Sequence, residues 1–157
     1  MKRRFPILAL VALLALPLLS RAQTAAQPEL PKEKMTIVSK DGQRHDFNVE
    51  MALTTQQQET GLMFRKIVPE DGGMLFDWGQ PREAAMWMKN TVSALDMIFI
   101  NDDGSIRRIA ENTVPESLAT IDPGGPVRAT LEVAAGTARR LKIHAGDKVE
   151  QRIFVSK

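Results

Sequence analysis

The stretch Arg44-His45-Asp46-Phe47-Asn48-Val49-Glu50-Met51-Ala52-Leu53 decides the class of the fold. Phe47, Val49, Met51 and Leu53 fall on one side of an extended chain and Asp46, Asn48 and Glu50 on the other. That two-residue period belongs to a strand with one face on a core and one toward water. Just upstream, Asp41-Gly42 supplies the positive φ angles of a tight turn, so Met35 to Ser39 is expected as the partner strand of a hairpin.

Working outward, Thr54-Thr55 followed by Gln57, Gln58 and Glu59 has the pattern of a helix start, in which a hydroxyl caps free N–H groups and a side chain three residues on reaches back. A short helix to about Phe64 is predicted. Gly73 to Phe76 and Ala84 to Met88 read as short strands separated by Gly79-Gln80-Pro81, and the nearly continuous apolar run Leu95 to Ile100 as a central strand. Asn101-Asp102-Asp103-Gly104 is a turn, from which Ser105 to Glu111 returns as a more polar strand near an edge. Asn112 to Pro126 holds three prolines and two glycines and reads as a long loop, of a length more often functional or lid-like than merely connecting. Val127, Ala129, Leu131 and Val133 alternate with Arg128, Thr130 and Glu132 on a further strand; Gly136 to Leu141 reads as a helical turn and Lys148 to Val155 as the last strand. Seven or eight short strands with one short helix predict a mainly β (β-rich α+β) single domain, an antiparallel sandwich or partly closed barrel.

The first residues speak of destination. Lys2, Arg3 and Arg4 precede an apolar run from Ile7 to Leu19, and Ser20-Arg21-Ala22 places small residues before Gln23. This is the pattern of a secretory signal peptide, residues 1–22, since about 13 apolar residues fall short of the roughly 20 that span a bilayer. Export to a bacterial periplasm is the expectation, with no membrane-embedded segment left after cleavage. Residues 23–34, with Pro28 and Pro31, read as a flexible leader and residues 35–157 as the domain. Cleavage lowers the basic residues from 21 to 17 against 19 acidic ones, a balance of −2. The basic character of the whole chain thus comes from a segment that is discarded, and nucleic acid is not an expected partner. Without cysteine, neither disulfides nor thiol nucleophiles enter.

Candidate chemistry gathers in Ala85-Met86-Trp87-Met88-Lys89-Asn90-Thr91-Val92-Ser93-Ala94-Leu95-Asp96, where polar groups interrupt strand-like apolar sequence. In an extended segment Trp87, Lys89 and Thr91 project to one side and Met86, Met88 and Asn90 to the other. Asp96 shares the apolar side of its strand with Ile98 and Ile100, so its carboxylate needs a cation or N–H donors, Lys89 and Arg65 being the first candidates. One reading is a structural ion pair. The other is a polar pocket in which Lys89 and Arg65 hold an anionic group, Asn90 orients it, and Asp96 or Glu132 acts as base or acceptor. For Glu132 a solvated strand face is the default, and a second carboxylate opposite Asp96, fit for glycosidic hydrolysis, the functional alternative. His45 and His144 lack metal-ligand spacing, and Ser93, Ser105 and Ser117 lack a nucleophile-elbow context. Met86 and Met88 offer thioethers to Cu(I), against the ordinary use of methionine as core filler.

Taken together, Gly61-Leu62-Met63-Phe64-Arg65, Gly73-Met74-Leu75-Phe76, Trp87-Met88-Lys89-Asn90-Thr91, Leu95-Asp96, Leu131-Glu132-Val133 with Ala135-Gly136, and Gly146-Asp147 resemble the DUF192 (UPF0127) family. The blocks stand in the family's order across nearly the whole domain. The departure is Ala94, where members commonly carry proline before the Leu-Asp pair. The resemblance implies a compact β-rich single domain, often exported, whose biochemical activity is not established. The combined expectation is an exported binding or accessory module rather than an enzyme, with a polar cleft formed by Arg65, Trp87, Lys89, Asn90, Thr91, Asp96 and Glu132. A small ligand or envelope component is the expected partner, and no metal or cofactor is expected. An envelope-polymer hydrolase using Asp96 and Glu132, and Cu(I) binding through Met86 and Met88, are the alternatives.

Overall fold

The computed structural model describes residues 24–154, so the expected signal peptide, residues 1–22, lies outside the described residues. Lys32–Val38 (β1) and Arg44–Ala52 (β2) form the anticipated hairpin, with Met35 opposite Phe47. Its turn closes as Gly42, at φ 86°, donates its N–H to Ser39 O at 2.8 Å. Thr54 caps the helix Thr55–Thr60 (α1): Gln57 N donates to Thr54 Oγ1, and Gln57 Oε1 accepts from Thr54 N. The helix stops at Gly61, at φ 50°, before the predicted Phe64. Met74–Arg82 (β3), Leu95–Ile100 (β4), Ile106–Ala110 (β5), Val127–Ala134 (β6), the helix Thr137–Leu141 (α2) and Lys148–Glu150 (β7) complete the order, followed by a 3-10 turn at Arg152–Phe154.

The strands form one mainly β, curled half-barrel sheet in the order β5-β4-β6-β3-β2-β1-β7. Its two edges meet where Ser105 bridges Lys148 and Ile106 N donates to Asp147 O at 2.8 Å, which selects the partly closed barrel over the sandwich. Pairing is antiparallel except between β2 and β3, where Glu50, Met51 and Ala52 run parallel to Met74, Leu75 and Phe76. Parallel neighbours need a crossover, and α1 with the loop to Gly73 supplies it. The glycine is required there, because a Cβ on Gly73, at φ 149°, would lie 2.2 Å from Glu132 O on the neighbouring strand.

Several expected boundaries move. β3 runs on through Gly79-Gln80-Pro81, with a register shift between Asp77 and Arg82; a bulge tolerates the proline that a regular ladder would reject. Ala84 to Met88 keeps only the bridge Met86–Ile121 to the long loop. β4, buried throughout, lies second from one edge rather than at the centre, a place held by β3. The last strand is three residues long, and α2 makes a second short helix. The leader is tied down rather than free: Gln27 Nε2 donates to Gln57 O and Gly61 O, Leu30 N to Glu50 Oε2, and β1 begins at Lys32. Arg65 fastens it further, binding Glu50 through two nitrogens at 3.1 Å and Gln27 O at 3.2 Å.

Both faces of the sheet are covered over β3, β4 and β6, while Asp46 and Asn48 on the outer face of β2 stay exposed. On one, Met35, Phe47, Leu75, Ile98, Leu131 and Val133 pack under Ala138 of α2 and Ile143. On the other, Met74, Phe76, Met97 and Phe99 pack under Leu62 and the Ala84 to Met88 segment. Asp96, wholly buried on the first face, accepts from Asn112 N and from Ala138 N, each at 2.9 Å. It therefore caps α2 from another strand, a service that the N-cap residue Gly136 has no side chain to perform. Hydrogen bonds to a charged group are worth about 1.5–3 kcal/mol each. Asp96→Asn keeps the shape but loses one acceptor, and is expected to lower unfolding stability by about 2 kcal/mol in urea melts at neutral pH; an unchanged midpoint would exclude this role.

Candidate functional site

A cleft of about 220 Å³ opens on the second face between α1 and the Ala85 to Lys89 segment. Gln58 and Glu59 of α1 form one wall, and Arg82, Met86, Trp87 and Lys89 the other. Phe76, Thr60, Thr91 and Glu132 lie among its lining. The long loop fixes the second wall through backbone bonds, Met86 with Ile121 at 3.0 and 2.8 Å and Met88 N to Ser117 O at 3.0 Å. The loop is thus a brace for the cleft.

Of the residues expected to cluster, Trp87, Lys89, Thr91 and Glu132 line this cleft together. Lys89 Nζ lies 5.0 Å from the Trp87 ring centroid, and the indole is 48 % exposed. Thr91 is buried, its hydroxyl donating to Lys89 O at 3.2 Å. Asn90 turns the chain at φ 54°, its side-chain amide toward Met63 Sδ and its carbonyl accepting from Phe64 N at 2.8 Å. It shapes the wall without lining it.

Arg65 and Asp96 lie elsewhere. Arg65 is committed to Glu50 and the leader, beside a separate surface hollow. Asp96 is held by N–H donors, not by Lys89 or Arg65. The acid pair needed for the hydrolase alternative is not formed: in the β4/β6 register Asp96 faces Val133 while Glu132 faces Met97, so the two carboxyl groups project from opposite faces of the sheet. The paired thioethers of the copper alternative also separate. Met86 lines the cleft, whereas fully buried Met88 accepts the Thr113 hydroxyl at its sulfur at 3.1 Å. Arg82, Trp78, Thr60 and Glu59 line the cleft although the sequence reading did not place them in the site. Arg82 sits over the Trp78 ring at 4.5 Å, and Trp78 stacks on Phe76. Both lie past Phe76, the expected end of this strand, on the part of β3 that continues through the bulge.

Glu132 is the unusual group. It is 4 % exposed and pairs in register with Met74 and Met97, and its side-chain carboxyl makes no hydrogen bond or ion pair among the described residues. Burial with no compensating charge pushes its carboxyl from the usual 4.5 up to about 8, so at neutral pH it carries its proton and presents an O–H donor to the cleft. In the unfolded chain the same group ionises near 4.5, and between that pH and about 8 unfolding releases a proton that the fold retains. Stability therefore falls as pH rises through this window. Glu132→Gln, unable to ionise, is expected to be the more stable protein there, by an amount growing from near zero at the lower limit to a few kcal/mol at the upper, a tenfold change in proton affinity being worth about 1.4 kcal/mol. Denaturant melts across that pH range test this; a constant difference between the two proteins would contradict it.

Comparison with known proteins places this geometry in a lineage. Residues 36–151 match the model of DUF192, described as an uncharacterised ACR. Comparison with curated proteins gives no match. A crystal structure from Sinorhizobium meliloti 1021, whose name proposes a transcription regulator, is 45% identical with a TM-score of 0.78, and the match covers 82% of this chain and 99% of that one. A protein of unknown function from Novosphingobium aromaticivorans DSM 12444 is 40% identical with a TM-score of 0.76, over 83% of this chain and 94% of that one. On the family match across most of its length and these two relatives, the chain belongs to the DUF192 family.

Proposed function

We propose that this protein is an exported binding module of the cell envelope, and that its ligand sits in the cleft between α1 and the Ala85 to Lys89 segment. One observation carries the reading: the buried Glu132 carboxyl has no protein partner among the described residues and is turned into the cleft. A buried polar group without a partner costs roughly 2–7 kcal/mol, and a ligand that accepts its hydrogen bond recovers part of that cost. Around it stand a half-exposed indole and two cations, a mixture of apolar surface and few polar groups that suits small-molecule sites. With Asp96 on the opposite face of the sheet from Glu132, the acid pair of the hydrolase alternative is not formed, and the geometry favours binding over that reading.

Fragment screening by amide chemical shifts provides the test. Shifts are expected to cluster at Thr60, Met63, Trp87, Lys89 and Glu132; hits confined to the hollow beside Arg65 and Glu50 would sink the proposal. Lys89→Ala removes an exposed rim charge. It is expected to weaken cleft hits while changing stability by no more than about 0.5 kcal/mol, the usual range for surface substitutions.

Export rests on the signal-like first 22 residues, and the acid excess after cleavage favours neither DNA nor other polyanions. The regulator name given to the S. meliloti protein belongs to that protein. Cleavage after Ala22 leaves Gln27, Pro28 and Leu30, the residues that bind α1, Arg65 and Glu50, on the released chain. Released periplasmic protein is expected to begin at Gln23 on N-terminal sequencing. An intact chain confined to the cytosol would refute export.

A further inference from the structure

The charges around the cleft limit what it can take. Among the described residues its titratable lining consists of Glu59 from α1, Arg82 from β3, Lys89 from the facing segment and Glu132 from β6. The strands on either side of Glu132 present the uncharged Met74 and Met97. The Arg82 guanidinium and the Lys89 ammonium each stand over an indole, at 4.5 and 5.0 Å, and neither charged group enters an ion pair or hydrogen bond among the described residues. Glu59 is exposed and likewise unpaired. Two free cations at the rim call for an anion, since a cation bound there would have to pass both. The floor calls for something else: a protonated carboxyl donates one hydrogen bond, which a neutral oxygen acceptor satisfies. At about 220 Å³ the cleft is smaller than the roughly 300–1,000 Å³ of most small-molecule pockets, so its occupant is the size of one residue or one sugar ring.

Resting on the binding reading of this cleft, we propose that its ligand is a small organic carboxylate with a second oxygen acceptor. The carboxylate lies between Lys89 and Arg82, and the acceptor receives a hydrogen bond from the Glu132 O–H. Leu62, Met63 and Phe76 provide apolar surface for the body between the two groups. An N-acylated amino acid and a uronic acid both present this chemistry, and the two probes separate an amino-acid from a sugar body. Binding is conditional on Glu132 keeping its proton: ionised, it loses the donor and repels the ligand's oxygen.

The chain's two tryptophans, Trp78 and Trp87, both line the cleft, so intrinsic fluorescence reports on occupancy. N-acetyl-leucine and galacturonic acid are titrated beside their uncharged counterparts, N-acetyl-leucine amide and methyl galactoside. At least one acid is expected to bind, with its counterpart at least about tenfold weaker, and Lys89→Met and Arg82→Met are expected to lose a similar factor. Affinity in the unsubstituted protein is expected to fall as pH rises past the Glu132 titration at about 8. Glu132→Gln keeps an N–H donor and is expected to hold its affinity across the same range. Circular dichroism confirms that each variant is folded, and either rim variant suffices if the other is not. Equal binding of the uncharged counterparts, or undiminished binding by a folded rim variant, overturns the carboxylate assignment while leaving the cleft as a binding site. Binding of neither acid overturns it too, and absence of any cleft response in the fragment screen removes the binding reading itself.

Discussion

Covering both faces of β6 is the constraint from which the rest of this structure follows. Its neighbours β3 and β4 pair along both edges, and its alternation sends Ala129, Leu131 and Val133 to one core and Thr130 and Glu132 beneath the other. In a sheet with one wet face the same alternation would leave Glu132 in water. Here Leu62, Met88 and their neighbours form a second core over it, and a position that is polar in sequence becomes a buried one.

Four carboxyl groups are buried among the described residues, and they are settled in different ways. Asp96 accepts from two backbone N–H groups, and Asp147 from Lys40 N and His144 N. Glu50 accepts from Arg65 and from Leu30 N. Each of these three joins segments far apart in the chain, and the donors offset the cost of burying charge. Glu132 has no such donors and stays neutral by keeping its proton. The three satisfied acids hold the scaffold together, whereas the fourth faces the cleft, which is why it carries the functional reading.

Much of the local structure was legible because short-range chemistry dictates it. Thr54 and Gln57 announce the capping box, Asp41-Gly42 and Asn101 to Gly104 the two tight turns, and Leu95 to Ile100 a strand buried on both faces. The candidate site was legible in part. Lys89 and Trp87 meet as their two-residue spacing requires, and Glu132 was singled out, although water on its strand face was the default expectation. Arg65 was drawn toward Asp96 by charge alone; its partner Glu50 stood on what looked like the solvated face of β2. Trp78 and Arg82 were lost to a proline that a bulge accommodates.

By itself, then, the sequence determined most of the strands, their turns, the capped helix and the family, because periodicity, turn residues and ordered motif blocks are local properties of the chain. Only the tertiary structure decided which faces are buried, and with them the fate of each charge. The parallel pairing of β2 with β3, the leader bound over Glu50, and the separation of Asp96 from Glu132 on opposite faces depend on contacts between distant segments. Burial is a property of such contacts, and it is burial that turned Glu132 from a strand-face carboxylate into a protonated group at a cleft.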